Sequence, residues 1–147
     1  MAKILAIEDD ETTSREIVAE LSRHGFEVEA VADGREGLLR AVTGAFDAIT
    51  LDRILPGLDG LSLVTVMRNA GVRTPVLMIS ALSDVDERIR GLRAGGDDYL
   101  TKPFSPEEMT ARLEVLLRRR EAAPRETTLQ ADDLVMALVT RQVRRGG

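Results

Sequence analysis

The residues best equipped for chemistry stand at the ends of short apolar runs. Glu8, Asp9 and Asp10 follow the run 4–7, Asp52 follows 48–51, Ser80 follows 76–79, and Thr101, Lys102 and Pro103 follow 99–100. Two carboxylates ~4 Å apart repel by roughly 4 kcal/mol at an effective dielectric of ~20. Glu8, Asp9 and Asp52, brought together, must therefore be protonated, splayed or neutralised by a cation. An all-oxygen site suits a hard divalent ion, Mg²⁺ (or Mn²⁺), better than zinc or copper. Such an ion turns an acidic rim into one that receives a phosphoryl group, with Lys102 and Ser80 supplying a charge and a hydrogen bond to its oxygens. Taken singly, each residue also reads as an ordinary loop, helix-start or surface residue, and the case rests on their joint placement. Lysine usage adds to it: the chain has two lysines against 18 arginines, and one is Lys102. That choice favours a compact point charge over a planar fork.

The elements that must position these groups follow from the hydropathy pattern. Five apolar runs (4–7, 28–31, 48–51, 76–79 and the weaker 99–100) have the length and continuity of strands covered on both faces. Between and after them come five helical patterns: Ile17, Val18 and Leu21; Leu38, Leu39 and Val42; Val64 and Met67; Val85, Ile89 and Leu92; Met109, Leu113, Leu116 and Leu117. The first four close near a glycine. The last opens on Ser105, Pro106, Glu107 and Glu108 and runs out in Arg118, Arg119 and Arg120, as the helix dipole favours. A strict (βα)5 alternation predicts an α/β, doubly wound parallel sheet with right-handed crossovers. In such sheets ligands bind beyond the carboxyl ends of the strands, where the candidate residues fall.

Composition closes off other chemistries. With no cysteine there are no disulfides, thiolate metal sites or cysteine nucleophile. His24, the sole histidine, excludes a histidine-rich metal site, and its place before Gly25 reads as an exposed helix-end cation. The net charge is −5, with the acidic excess confined to residues 1–120, and there is no tryptophan. No aromatic platform or basic surface for nucleic acid is evident. No apolar run has the ~18 residues of a membrane span, and residues 1–10 lack a signal-peptide core. A cytoplasmic protein with no membrane contact is expected. The domain is expected over 1–120, with 121–128, which carries Pro124 and no periodicity, as a linker. Residues 129–147 form one further patterned segment that fits a strand or a helix equally and is too short for a core of its own.

Together these residues resemble a known family. Lys3-Ile-Leu-Ala-Ile-Glu8-Asp9-Asp10, Asp52 followed by Leu55-Pro-Gly-Leu-Asp-Gly60, Pro75-Val-Leu-Met-Ile-Ser80-Ala81 and Gly95-Gly-Asp-Asp-Tyr-Leu-Thr-Lys102-Pro-Phe resemble the receiver domain of bacterial two-component response regulators, from residue 3 to about 120. Asp97-Asp98-Tyr99, Lys102-Pro103-Phe104 and Ala111-Arg112 are most similar to the OmpR/PhoB-type winged-helix subfamily. The resemblance implies a flavodoxin-like, CheY-like sheet of strand order 2-1-3-4-5. By position it makes Asp52 the phosphoacceptor, Glu8 and Asp9 the acidic metal pair, the Ile54 backbone carbonyl a further metal ligand, Ser80 the conserved hydroxyl, Lys102 the conserved lysine and Tyr99 the rotating aromatic. It also implies a cis Lys102–Pro103 bond, a sensor histidine kinase as phosphodonor, and a switch on the face of the fourth helix, fifth strand and fifth helix. Arg88, Asp98, Glu108, Arg112 and Arg119 match charged positions of that face in relatives and are expected either to pair across a two-fold homodimer or to be solvated ions of little energetic weight. The segment 129–147 resembles the opening of a winged-helix effector domain, so the chain is expected to be the N-terminal fragment of a regulator that binds DNA only through its missing C-terminal domain.

Some positions depart from the family pattern. Arg53 puts a cation beside the acceptor and could share in charge balance without a metal; Leu82 and Gly96 are also atypical. Three other readings compete with this one. A haloacid-dehalogenase-type phosphatase needs an acid where Ile54 stands, and an FMN phosphate would be repelled by Glu8, Asp9 and Asp10. A phosphorylation-independent interaction module is usually marked by loss of an acidic, hydroxyl or lysine position, and all are intact, but the unusual Arg53 keeps this reading open.

Overall fold

The computed structural model describes residues 1–122. Strands and helices alternate as β1 (Lys3–Ile7), α1 (Glu11–Arg23), β2 (Glu27–Val31), α2 (Gly34–Thr43), β3 (Ala48–Asp52), α3 (Gly60–Asn69), β4 (Val76–Ser80), α4 (Val85–Ala94), β5 (Asp98–Thr101) and α5 (Pro106–Ala122). All strand pairs are parallel and the order is β2-β1-β3-β4-β5, the flavodoxin-like α/β arrangement expected. β3 and β4 are buried from end to end, which is why they appear in the sequence as near-continuous apolar runs, interrupted before their last residues only by Thr50.

Alternate strand residues feed two cores. Ile4, Ala6, Leu77 and Ile79 meet Ile17 and Leu21 of α1 and Met109, Leu113 and Leu116 of α5. Leu5, Ile7, Ile49, Leu51 and Met78 meet Ala41 of α2 and Leu63, Val64 and Met67 of α3. Asp10, Asp33 and Asp59 cap α1, α2 and α3 by accepting backbone N–H bonds, and the Ser105 hydroxyl accepts from Glu108 N–H at the start of α5. α4 has no side-chain cap bond. Gly25 and Gly71, just past α1 and α3, hold φ of +87° and +85°, which side chains rarely adopt. The Lys102–Pro103 bond is cis, as the resemblance implied.

Two helical stripes face away from the core. Leu39 and Val42 of α2, and Val85, Ile89 and Leu92 of α4, are exposed. α2 packs instead through Gly34, Gly37 and Ala41, and α4 through Glu87, Gly91 and Ala94. Small residues let these helices lie close to the sheet: a Cβ on Gly37 would meet Ile7 at 2.9 Å, and one on Gly91 would meet the Tyr99 ring at 3.1 Å. α5 runs to Ala122, so Glu121 and Ala122, assigned to the linker by sequence, are helical. The remaining linker and the 129–147 segment lie outside the described residues. Among those described, no helix is long and apolar enough to cross a membrane.

Candidate functional site

The carboxyl ends of the parallel strands deliver the predicted residues to one rim. Glu8 follows β1, its N–H donating to the Val31 carbonyl of the neighbouring strand at 3.0 Å. Asp52 ends β3 and Ser80 ends β4, one residue beyond Ile79, the residue in register with Asp52. Lys102 follows β5 and its N–H donates to the Ser80 carbonyl at 2.8 Å. Carboxylate oxygens of Glu8, Asp9 and Asp52 lie within 4.8 Å of one another. Glu8 and Asp52 are buried, and Asp9 is exposed.

Lys102 is the cation among them. Its Nζ donates to Asp52 Oδ2 at 3.1 Å and stands 3.0 and 3.1 Å from the two Glu8 oxygens, aligned for a hydrogen bond with Oε2 alone. The other Asp52 oxygen accepts the Ile54 N–H at 3.1 Å. Glu8 Oε2 also accepts from Asp10 N–H. Glu8 Oε1, equally buried, has no hydrogen-bond donor. Burial pushes the Glu8 carboxyl up to about 7, with the Asp52 charge adding to the rise and the Lys102 and Asp10 bonds opposing it. Burial works to lower the Lys102 pKa, but its bonds to Glu8 and Asp52 outweigh that and hold the ammonium above its ordinary value.

Three carboxyl groups cluster around one ammonium that bridges two of them, and the buried Glu8 Oε1 accepts no hydrogen bond. This donor set fits a hard divalent cation: Glu8, Asp9 and Asp52 offer oxygen only, next to an Ile54 whose backbone is already anchored to Asp52.

The remaining predicted residues divide. Asp10 belongs to α1 rather than to the cluster: it accepts from Thr13 N–H and Oγ1, which hold its pKa below the usual carboxylate range. Ser80 is fully buried, its Oγ accepting from Leu82 N–H at 3.1 Å. Tyr99 is turned inward, buried, its hydroxyl donating to the Leu82 carbonyl at 2.7 Å. Arg53, which could have shared in charge balance at the acids, is engaged elsewhere. Its buried guanidinium bonds to Glu87 Oε1 at 2.6 Å and to the Glu87 carbonyl, while Lys102 alone bridges Glu8 and Asp52. No sequence signal marked Glu87 as that partner. On the outer face, Arg112 binds Asp98 and Glu108 of the same chain, each at 2.9 Å, and Arg88 and Arg119 are exposed.

Comparison with known proteins bears on this rim. Residues 4–114 match the response regulator receiver domain family. The transcriptional regulatory protein CusR of Escherichia coli K12 is 39% identical over 145 residues, which is 99% of this chain and 64% of CusR. The receiver domain of the Francisella response regulator 1452 is 37% identical with a TM-score of 0.79, covering 82% of this chain and 99% of that one. The receiver domain of the sensor histidine kinase PA1611 from Pseudomonas aeruginosa, solved with a magnesium ion coordinated in its active-site cleft, is 35% identical with a TM-score of 0.73, covering 79% and 97%.

Proposed function

Since the chain belongs to the receiver-domain family of two-component response regulators, in its OmpR/PhoB-type branch, we propose that it is the phosphorylation switch of a transcription regulator. It is a signalling domain rather than an enzyme with a separate substrate, and it catalyses only its own phosphotransfer and dephosphorylation. Asp52 is the acceptor and the phosphohistidine of a sensor histidine kinase the donor. An Asp52 carboxylate oxygen attacks phosphorus in line and the P–N bond breaks. Its electron pair leaves with the imidazole, which takes a proton from solvent, and a C–O–P mixed anhydride remains on Asp52.

Glu8, Asp9, Asp52 and the Ile54 backbone carbonyl are the residues that would hold Mg²⁺ (or Mn²⁺), as the magnesium of the Pseudomonas receiver suggests. When bound, the ion offsets negative charge on the transferring group. Lys102, already on Asp52, neutralises a further phosphoryl oxygen, and Ser80 supplies a hydrogen bond. The observation that carries this reading is the Lys102 ammonium shared by Glu8 and Asp52 at the strand ends.

The output lies on α4, β5 and α5. Phosphorylation shifts an existing equilibrium of Ser80, Tyr99 and α4, and the switched face forms a homodimer in which Arg88, Asp98, Glu108, Arg112 and Arg119 pair across the two-fold axis. DNA is bound by a part of the regulator beyond residues 1–122, a reading supported by the chain's spanning 64% of CusR, a transcriptional regulatory protein. The test is intact mass after incubation with a small-molecule phosphodonor and Mg²⁺, beside Asp52→Asn and a chelator control. One added phosphoryl group, lost in both controls, is expected. No addition, under conditions that phosphorylate another receiver, would overturn the reading in favour of a phosphorylation-independent interaction module.

A further inference from the structure

α4 is attached to the body of the domain by very little. Only Glu87, Gly91 and Ala94 of its ten residues are not exposed, and its start lacks the side-chain cap bond that α1, α2 and α3 possess. No large apolar side chain of α4 enters the core. Val85, Ile89 and Leu92, displaced by about half a turn from the packed stripe, face outward. The one strong polar tie at the start of the helix comes from Arg53, the residue that follows Asp52. Its side chain, 8% exposed, donates through Nη1 both to the Glu87 carboxylate at 2.6 Å and to the Glu87 backbone carbonyl at 3.3 Å.

The tie bears on Tyr99. Gly91, which packs on the Tyr99 ring, lies one helical turn after Glu87 on the same face of α4. Fixing Glu87 therefore fixes the depth of the slot that the ring occupies. The Tyr99 hydroxyl donates to the Leu82 carbonyl, which holds the ring inward beneath the helix. We infer that the Arg53–Glu87 pair is a latch joining the residue after Asp52 to α4, holding the helix over the inward Tyr99 ring and so presetting the α4–β5–α5 face before any phosphoryl group arrives. The consequence for output rests on the proposed function; the latch itself does not.

The chain offers a direct probe, since Tyr99 is its only tyrosine and it has no tryptophan. Protein labelled with 3-fluorotyrosine gives one ¹⁹F resonance, whose broadening by a neutral gadolinium chelate reports exposure of that ring. Arg53→Met and Glu87→Gln are compared with wild type and with the double variant, after circular dichroism confirms folding. Each single variant is expected to raise the population of the exposed ring on the order of tenfold, the scale of a lost hydrogen bond between charged groups. The double variant is expected to go no further than Arg53→Met, which alone removes both bonds to Glu87. A Tyr99 signal unchanged in Glu87→Gln overturns the latch, whatever Arg53→Met does. If Arg53→Met fails to fold, Glu87→Gln decides alone, its site being half-buried. Additive effects in the double variant also overturn it, since the two residues would then act separately. Phosphodonor uptake measured on the same samples keeps the two readings apart: a wild type that takes no phosphoryl group sinks the proposed function and leaves the fluorine result to judge the latch.

Discussion

Lys102 Nζ lies 3.1 Å from Asp52 Oδ2 and 3.0 Å from Glu8 Oε1, so a single ammonium is shared by acids delivered by two different strands. In the proposed function it would compete with a metal for the same oxygens and also serve the transferred group, and its removal should therefore push two properties in opposite directions. Lys102→Met is expected to bind Mg²⁺ about tenfold more tightly, because the acids lose their internal counter-ion, and to take up a phosphoryl group at least ~100-fold more slowly, because a charge preorganised for the transition state is gone. Calorimetric titration and intact-mass time courses measure the two. Weaker Mg²⁺ binding in this variant would show that Lys102 orients the acids rather than competing for them.

Glu8 couples stability to pH and metal. Its carboxyl is raised from 4.5 to about 7 by burial, so between those values the folded chain holds a proton that the unfolded chain releases. Stability from this group is full below about 4.5 and is lost as pH rises through about 7, a loss of about 3 kcal/mol at most. Thermal melts without divalent ions should fall from pH 5 to pH 8, and Glu8→Gln should flatten that fall. Added Mg²⁺ should stabilise more at pH 8 than at pH 5, since the ion takes the deprotonated acid. A metal-induced shift that is the same at both pH values would separate the ion from Glu8.

Gly60 is tied to the backbone of Asp52 and Arg53. A Cβ there would collide with the Asp52 carbonyl oxygen and stand 2.7 Å from Arg53 Cα, and backbone atoms cannot rotate aside. Gly71 has no neighbour within 4 Å but holds φ +85°. Gly71→Ala should therefore cost about 1 kcal/mol in urea unfolding and leave phosphoryl uptake unchanged. Gly60→Ala should cost more and also slow uptake, because the collision moves Asp52 itself. Equal uptake in the two variants would mean the β3–α3 connection yields without disturbing the acid.

The sequence made the sheet and the rim legible for a common reason. Strands buried on both faces leave continuous apolar runs, and a parallel sheet sends every carboxyl end to one edge, so Glu8, Asp52, Ser80 and Lys102 could be placed together from chain order. Helix faces were harder. Periodicity found α2 and α4 but not their buried sides, because both pack through glycine and alanine, and Leu39, Ile89 and Leu92 were left outside. Partners of long polar side chains were not legible at all. Arg68 donates to the Gly95, Val72 and Thr74 carbonyls and to Asp97, whose carboxylate also receives Val76 N–H. Arg53 reaches Glu87, 34 residues away. Such contacts depend on rotamers and loop paths that no local pattern encodes.

The exposed apolar residues of α4 give the dimer proposal its sharpest test. Arg112 already satisfies Asp98 and Glu108 within one chain, so exchanging those ions across an interface gains little by itself. An interface on this face must draw its affinity from apolar area, and Ile89 and Leu92, 38% and 44% exposed, are its candidates on α4. Leu92→Asp should change monomer stability by less than about 0.5 kcal/mol, as surface substitutions do. It should leave phosphoryl uptake intact and abolish the dimer expected of the phosphorylated wild type in sedimentation velocity. Arg119→Ala, removing only an exposed charge, should weaken that dimer a few-fold at most. If Leu92→Asp still dimerises on phosphorylation while Arg119→Ala does not, the charged residues carry the interface and α4's outward stripe serves some other contact.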